Sequence, residues 1–424
     1  MQTMRSTVQS FFAPLLAITI LTMGAGLLNS LLSVNMSLSG YSEQIIGLVM
    51  SCNYVGITLG IFFCQPIVQR VGHIRAFAAF AALLTAVALL HGIFPDAWLW
   101  ALLRICSGLC ITGLFMVIES WLNEKVEPQM RGRLLSIYMI LVYFGNGSGQ
   151  FLLNVSDVQS KGIFMLAGIL FAMCLVPISI TRAVHPQPLE VPRYNLLKLF
   201  RLAPFSMVGS FTAGMINSSF YSIGPMFALK IGLPIAQVSW FMSLSVWSGL
   251  LFQWPIGQLS DRFNRLTVLS LLGFAVLLVS VAIANLGMLG LPILLLLTAC
   301  FGVVFTIYPV AMARAQDNID KKDIVPVSGA LILFFGLGAC LGPILSSTLI
   351  ARVGPWGFYH FTAMCGGLLG GAAWICRKKL RVKTDEQVPY IPIPKTSPVI
   401  STLDPRGIRT PAVNKRRCHL LKER

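Results

Sequence analysis

Residues 267–286 read TVLSLLGFAVLLVSVAIANL, a stretch without a single charged side chain. A helix that crosses the hydrocarbon core of a bilayer needs about 20 mostly apolar residues. The whole chain of 424 residues shares this character, because 56% of it is hydrophobic and only 11% is charged. Soluble domains carry about 25% charged residues. The composition therefore indicates a polytopic membrane protein and excludes a soluble enzyme, a disordered chain and a disulfide-stapled scaffold.

Eleven further stretches of about 20 mostly apolar residues occur in the chain. The twelve stretches lie near residues 11–35, 44–67, 76–94, 97–121, 133–154, 163–181, 203–229, 236–258, 267–286, 291–313, 326–350 and 357–376. The first is too long for the apolar core of a signal peptide, and no small-residue cleavage site follows it. We therefore predict an all-α membrane protein with twelve transmembrane helices, which we number as spans 1 to 12.

The lysines and arginines fall on alternate sides of these spans. If the N-terminus is cytoplasmic, 28 of the 32 lie on the cytoplasmic side, and only Lys161, Lys230 and Arg352 lie in outer loops. Cytoplasmic loops of membrane proteins carry an excess of positive charge. The pattern predicts a multi-pass protein of the bacterial inner membrane with both termini in the cytoplasm. It also explains the formal net charge of +17 without a nucleic-acid partner.

The C-terminal segment 377–424 has a different composition. It holds 13 basic residues, 4 acidic residues and 6 prolines, with few large apolar side chains. Such a segment cannot bury a core, so we predict a disordered basic tail. Arg377, Lys378 and Lys379 lie beside the last span and could attract anionic membrane lipids. Between this lipid contact and a solvated tail without a specific partner, we predict the solvated tail.

The chain contains an internal repeat. Met50-Ser51 in span 2 recurs as Met242-Ser243 in span 8, and Gln69-Arg70 recurs as Asp261-Arg262, both with an offset of 192 residues. A constant offset indicates two similar halves of six helices each in parallel orientation. Such halves can form a site at their interface that opens alternately to each side. We assign the first half to residues 1–184, a proline-rich cytoplasmic linker to 185–202, and the second half to 203–376.

The segment between spans 8 and 9, residues 257–265, reads GQLSDRFNR. It resembles the loop signature G-x-L-[AS]-D-[RK]-x-G-R of the major facilitator superfamily, with Asn264 in place of the late glycine. In span 4, residues 104–108 read RICSG, which is similar to the R-x-x-[QS]-G of the same superfamily. The resemblance extends over nearly all of residues 11–376. Three segments look most like the YcaD-type bacterial branch: QWPIG at 253–257, YPVAMA at 308–313 and IES at 118–120.

This resemblance implies a secondary active transporter that moves a small-molecule substrate by rocker-switch alternating access. It implies a monomer, and it places a gate at the cytoplasmic end of each half. In the second half, the gate would consist of Asp261 and Arg262 in the loop signature and of Arg314 at the end of span 10. We expect an ion pair between Asp261 and Arg314.

The first half departs from this gate pattern, because Gln69 takes the place of the aspartate. Span 4 ends near Glu119, and Arg70 and Arg75 flank the equivalent loop. We predict that Glu119 pairs with one of these two arginines, so that the charges are exchanged between the halves. The alternative is that all these groups are ordinary interfacial charges, whose pairs are worth about 0–1 kcal/mol.

Polar side chains occur in the four spans that line the central cavity in this superfamily. Arg104 lies about six residues inside span 4, or roughly 9 Å from the outer surface. An arginine at such depth costs on the order of 3 kcal/mol, so it must face water or a partner. We predict a substrate or coupling role for it, with a structural hydrogen bond as the alternative. The same two alternatives hold for the amides and phenols of spans 1, 7 and 10, namely Asn29, Asn217, Tyr221 and Tyr308.

Glycine pairs and prolines predict how the spans pack. The pairs Gly56-xxx-Gly60 in span 2 and Gly338-xxx-Gly342 in span 11 belong to helices that meet between the halves in this superfamily, and small residues permit close packing there. The segment 145–150 in span 5, GNGSGQ, is expected to face span 8. Pro225 and Pro309 leave backbone carbonyls free and are expected to bend spans 7 and 10.

The acidic residues limit the coupling mechanism, because none lies at mid-membrane, where proton relays usually sit. Proton coupling would use Glu119, Glu43 or a protonatable solute, and the lone deep Arg104 favours an anionic or zwitterionic metabolite. Cysteines and histidines are scattered, and no hydrolase or phosphate-binding motif occurs. We therefore expect no metal, no other cofactor and no enzyme. Two alternatives stay open: a multidrug or metabolite exporter, and a non-transporting membrane sensor with the tail as its output.

Overall fold

The computed structural model of the chain describes residues 4–126, 130–180, 200, 203–317 and 324–377, and in the tail 387, 390, 391, 395–397, 399 and 400. Most of the predicted linker and tail lies outside these residues. The described residues form helices and connecting turns, without a β-strand. The protein is an all-α membrane protein.

Twelve helical spans follow one another in the described part of the chain. They are Met4–Leu38, Glu43–Val71, His73–Ile93, Ala97–Lys125, Arg131–Phe151, Lys161–Met173 with Leu175–Ile180, Pro204–Lys230, Ile235–Arg262, Arg265–Leu286, Leu291–Phe301 with Ile307–Gln316, Ile324–Val353 and Gly357–Cys376. Each lies within a few residues of its predicted position, except that span 1 begins about two turns earlier. Among the described residues, nine spans are long and apolar enough to cross a membrane by length and composition alone. Spans 5, 7 and 12 carry more glycine and polar side chains and pack within the same bundle.

Glycines that repeat along the chain make equivalent contacts within each half. A Cβ atom added at Gly149 in span 5 would lie 2.3 Å from the carbonyl oxygen of Met23 in span 1. In the second half, a Cβ at Gly342 in span 11 would lie 2.2 Å from the carbonyl oxygen of Met215 in span 7. Backbones can approach this closely only where the side chain is absent. These matched contacts confirm that the two halves share one architecture.

The halves also meet each other through matched contacts. The hydroxyl of Ser243 in span 8 donates to the carbonyl of Gly147 in span 5 at 2.7 Å. Its repeat partner Ser51 in span 2 donates to the carbonyl of Cys340 in span 11. Span 5 therefore faces span 8, as predicted, and span 2 faces span 11. The two contacts are related by the pseudo-two-fold axis of the bundle.

The prediction that the glycine pairs pack between the halves is wrong. A Cβ at Gly56 would lie 2.0 Å from the carbonyl oxygen of Ile105 in span 4, and one at Gly338 would lie 2.0 Å from that of Phe211 in span 7. Both contacts stay within one half. These two glycine pairs therefore hold each half together, whereas other glycines face the interface, such as Gly47 in span 2, whose Cβ would lie 2.7 Å from the carbonyl oxygen of Pro343 in span 11.

Candidate functional site

A cavity of about 210 Å³ lies between the two halves. Apolar and aromatic side chains make most of its wall, as in typical small-molecule sites. All five residues that the sequence predicts for substrate binding line it: Arg104, Asn29, Asn217, Tyr221 and Tyr308. The structure therefore brings together polar groups from spans 1, 4, 7 and 10.

Arg104 is the deepest charge in this cavity. Its side chain is 2% exposed, and Nη2 donates to Oδ1 of Asn29 at 2.5 Å. Its Nε is buried and has no hydrogen-bond partner among the described residues. No aspartate or glutamate occurs among the described residues that line the cavity. The guanidinium is thus held in place by the neutral amide of Asn29.

The amide of Asn29 also joins the two halves. Its Nδ2 donates to the backbone carbonyl of Tyr221 at 2.6 Å. That carbonyl lies four residues before Pro225, which has no backbone N–H to offer it. Asn29 in span 1 therefore satisfies a carbonyl in span 7 that the proline leaves free, while its oxygen holds Arg104.

In span 10 a side-chain amide likewise bonds to the carbonyl that a proline leaves free. The carbonyl of Phe305, four residues before Pro309, accepts from Nε2 of Gln253 at 3.3 Å. The helix tightens to a 3-10 segment over Gly302–Thr306 just before this point. The predicted distortion of span 10 is therefore confirmed, whereas span 7 stays a continuous helix through Pro225.

Several polar atoms on the cavity wall lack a partner within the described residues. They include both amide atoms of Asn217 and the hydroxyl of Tyr308. The same holds for Oδ1 of Asn53 and the hydroxyl of Ser107, which the sequence reasoning missed. A buried polar group without a partner costs about 1–3 kcal/mol. An asparagine within an apolar span was the signal that could have singled out Asn53.

The predicted gate of the second half has a different pairing. Arg265, whose side chain is fully buried, forms ion pairs with Asp317 and, at 3.1 Å, with Asp261. It also donates to the carbonyl of Ala313 at 3.0 Å. The expected pair between Asp261 and Arg314 is not formed. Arg265, the first residue of span 9, lies four residues after Asp261 and pairs with it instead. Arg262 is exposed at the end of span 8.

The predicted pairing in the first half is also wrong. Glu119 is fully buried, whereas Arg70 and Arg75 are exposed. The carboxylate accepts from the hydroxyl of Tyr138 at 2.7 Å, and its other donors are the hydroxyls of Thr396 and Ser397. Glu119 faces the interior of the bundle more than a turn before span 4 ends, so the two loop arginines do not reach it.

Part of the tail therefore lies inside the protein. We call Tyr390, Ile391, Lys395–Ser397, Val399 and Ile400 the inserted tail residues. Val399 and Ile400 are buried, and Lys395 and Thr396 line the cavity. For these residues the prediction of a solvated tail without a partner is wrong. No pattern in the sequence indicated it.

A comparison with known proteins agrees with this architecture. The profile of the Major Facilitator Superfamily matches residues 15–343 and 206–408. The chain is 30% identical over 341 residues to the uncharacterized MFS-type transporter YE1530 of Yersinia enterocolitica, covering 80% of this chain and 88% of that protein. It is 30% identical over 344 residues to the uncharacterized MFS-type transporter YcaD of Salmonella arizonae, covering 79% and 87%.

Solved structures show the same fold. The nucleoside transporter NupG superposes with a TM-score of 0.72 at 15% identity, covering 88% of this chain and 99% of that one. A bacterial homologue of the human lysosomal transporter Spinster, in an inward-facing and occupied conformation, gives a TM-score of 0.72 at 10% identity, covering 91% and 99%. The sequence match, the twelve spans and the central cavity together show that the chain belongs to the Major Facilitator Superfamily of membrane transporters.

Proposed function

We propose that the protein is a secondary active transporter that binds a small organic anion or zwitterion in the central cavity. Rocking of the two halves would then expose the cavity to each side of the bacterial inner membrane in turn. The observation that carries this proposal is Arg104, a buried cation with a free Nε in a cavity without a lining carboxylate.

The remaining wall suits a solute with both a charged and an apolar part. Asn217 and Tyr308 offer unpaired donors and acceptors, and the rings of Tyr221 and Phe305 supply apolar surface. Arginine binds carboxylates and phosphates through two parallel hydrogen bonds. An anionic group would therefore bind at Arg104, and the body of the solute would lie against the aromatic side.

The orientation and coupling belong to the same proposal. The distribution of lysine and arginine supports cytoplasmic termini, and the bacterial relatives support the inner membrane. Glu119 is our candidate for proton coupling, because its described partners are hydroxyl groups rather than a cation. The exposed arginines 70, 75 and 262 would act at the cytoplasmic gate, together with Asp261 and Arg314.

A binding screen tests the solute class. The purified protein is heated with dicarboxylates, amino acids, sugar phosphates, neutral sugars and organic cations, because a bound ligand raises the unfolding temperature. We expect stabilisation by anions or zwitterions. For a hit, Arg104→Ala should raise the Kd about 10- to 100-fold, the effect of losing one charged hydrogen bond.

The matched control is Arg352→Ala, which removes an exposed arginine in the last turn of span 11, outside the cavity wall. It should leave the Kd unchanged. A hit with an unchanged Kd in Arg104→Ala would remove Arg104 from the site, and hits confined to organic cations would overturn the anionic class. Counterflow of the hit in proteoliposomes then separates a transporter from a sensor, because only a transporter accumulates the labelled solute.

A further inference from the structure

The inserted tail residues hold on to the second half at one point. The backbone N–H of Tyr390 donates to Oδ1 of Asp261 at 2.7 Å, and its hydroxyl donates to Oε1 of Gln253 at 2.7 Å. Both partners belong to span 8. A Cβ at Gly257 would lie 2.6 Å from the ring of Tyr390, so this glycine leaves the room that the ring occupies. Tyr390 thus binds span 8 through two hydrogen bonds and through the packing of its ring against Gly257.

A few residues later, the tail is attached to the first half. The hydroxyls of Thr396 and Ser397 donate to the two carboxylate oxygens of Glu119 in span 4. Ser397 and Ile400 are 0% exposed. Glu119 therefore binds the tail through both of its oxygens.

Between these two points, Lys395 enters the cavity itself. Its Nζ lies 4.3 Å from the ring centroid of Phe335 and 5.7 Å from that of Phe305. Both distances suit attraction between a cation and an aromatic face. The two rings line the same cavity as Arg104. Lys395 therefore occupies volume that a solute would need.

The opposite end of the bundle is closed by direct contact between the halves. Lys230 in span 7 pairs with Glu43 in span 2 at 2.5 Å, and Ser243 bonds to span 5. At the end where Gln253 and Glu119 bind the tail, the tail lies between the halves. The halves could approach each other there only if it withdrew.

We propose that the inserted tail residues are an internal inhibitor of transport, which fills the mouth of the cavity, keeps the halves apart at that end and competes with the solute. This proposal rests on the proposed transport function. Its test needs no known solute, so the two can fail independently.

The test releases the tail in the full-length protein with the double variant Thr396→Val, Ser397→Ala, which removes both hydroxyls that bind Glu119. Trypsin cleavage after Lys395, followed by mass spectrometry, reports whether the tail is inserted. We expect cleavage about tenfold faster or more, because two hydrogen bonds to a buried carboxylate are lost. Ser136→Ala, which removes an exposed hydroxyl bonded to its own helix, should cleave at the wild-type rate.

A second measurement follows the halves directly. Spin labels at Val71→Cys and Phe263→Cys, exposed positions 192 residues apart at the two matching helix ends, are placed in a background without other cysteines. We expect the double variant to shift the label distances to shorter values. Tyr390→Phe, which keeps the ring and loses one hydrogen bond, should give a smaller shift and serves if the double variant folds poorly.

Two results would overturn the proposal. The first is unchanged cleavage and unchanged label distances in both variants, which would make the tail a fixed part of the bundle. The second concerns a hit from the binding screen. If Lys395→Ala weakened its binding instead of strengthening it about tenfold, Lys395 would be a ligand of the solute rather than its competitor.

Discussion

The two ends of the bundle are held together by different kinds of contact. At the end that contains Glu43, the halves meet directly, and the ion pair of Glu43 with Lys230 leaves 23% and 33% of the two side chains exposed. At the other end, which the sequence predicts to be cytoplasmic, each half satisfies its buried charges separately. Arg265 pairs within the second half, and Glu119 in the first half takes its hydroxyl partners from Tyr138 and the tail.

This difference shows which contacts would have to break for the two halves to rock against each other. A partly exposed ion pair is worth little, so opening the end with Glu43 would mainly require breaking the hydrogen bonds between spans 5 and 8, such as that of Ser243 to Gly147. The buried network around Arg265 is a fixed part of one half and does not resist rocking. The inserted tail residues are what bridges the halves at that end. Under the proposed inhibition, control of transport would lie in a segment outside the twelve spans.

The largest effect should come from breaking the buried network. In Arg265→Leu, Asp317 and the carbonyl of Ala313 lose their guanidinium partner. Removing one member of a buried ion pair costs about 3–5 kcal/mol. We expect a strongly lowered apparent unfolding temperature and poor recovery of folded protein from membranes. Arg352→Leu, at an exposed position of the opposite end, should change the unfolding temperature little. Equal decreases in the two variants would contradict the proposed difference between the two ends.

An intermediate effect should come from pH. Desolvation inside the cavity lowers the pKa of Lys395 from 10.5 to about 7. The inserted tail thus binds fewer protons than the released tail between these values, and insertion should become more favourable as pH rises from about 7, by up to about tenfold per pH unit. Below about pH 7 the lysine is charged in both states, and the full cost of desolvation opposes insertion.

The distance between labels at positions 71 and 263, followed from pH 6 to 9, measures this dependence. Lys395→Met keeps the length of the side chain and should flatten the curve. The other ionisable groups around the same cavity are Arg104, Tyr54, Tyr143, Tyr221 and Tyr308 on its wall, and Glu119, which is bonded to Thr396. An unchanged curve in Lys395→Met would assign the titration to one of them.

The smallest effect should come from the ion pair at the opposite end. Lys230→Ala should lower the stability by no more than about 1 kcal/mol, because the pair is partly exposed. Added salt should reduce the difference from wild type by screening. Glu43→Gln should match it, and the two changes combined should cost less than their sum. If Lys230→Ala lowered the stability as much as Arg265→Leu, the two ends would not differ in the strength of their ion pairs.

Much of the fold was predictable from the sequence, because the bilayer imposes a length on every apolar helix. The positions of the spans and the repeat follow from hydropathy and spacing, and the contact between spans 5 and 8 follows from the resemblance. The five predicted cavity residues also depended on the resemblance, which implies that spans 1, 4, 7 and 10 line the cavity. A polar side chain in an apolar span must have a partner, and Arg104, Asn29 and Asn217 had none nearby in sequence.

The charge partners were not predictable in this way. Arg265 belongs to the loop signature and Arg314 lies at the end of span 10, and only packing decides that Arg265 forms the ion pairs with Asp261 and Asp317. The pairing of Glu119 with Arg70 or Arg75 assumes that the gate of the first half mirrors that of the second with the charges exchanged, and the prolines and charges of the tail predict disorder. The tail instead inserts a few residues, and its contacts with Glu119 and Gln253 join positions more than 130 residues apart. No local pattern encodes such a contact.

Asn29 gives the cavity and the joint between the halves a shared component. Its oxygen holds the guanidinium of Arg104, and its nitrogen holds the carbonyl of Tyr221 across the interface. An acidic group that binds Arg104 would compete with the amide oxygen of Asn29 for the guanidinium. Rotation of that amide would also change its hydrogen bond to the carbonyl of Tyr221. If the proposed solute binds at Arg104, Asn29 would connect its binding to the contact between the two halves.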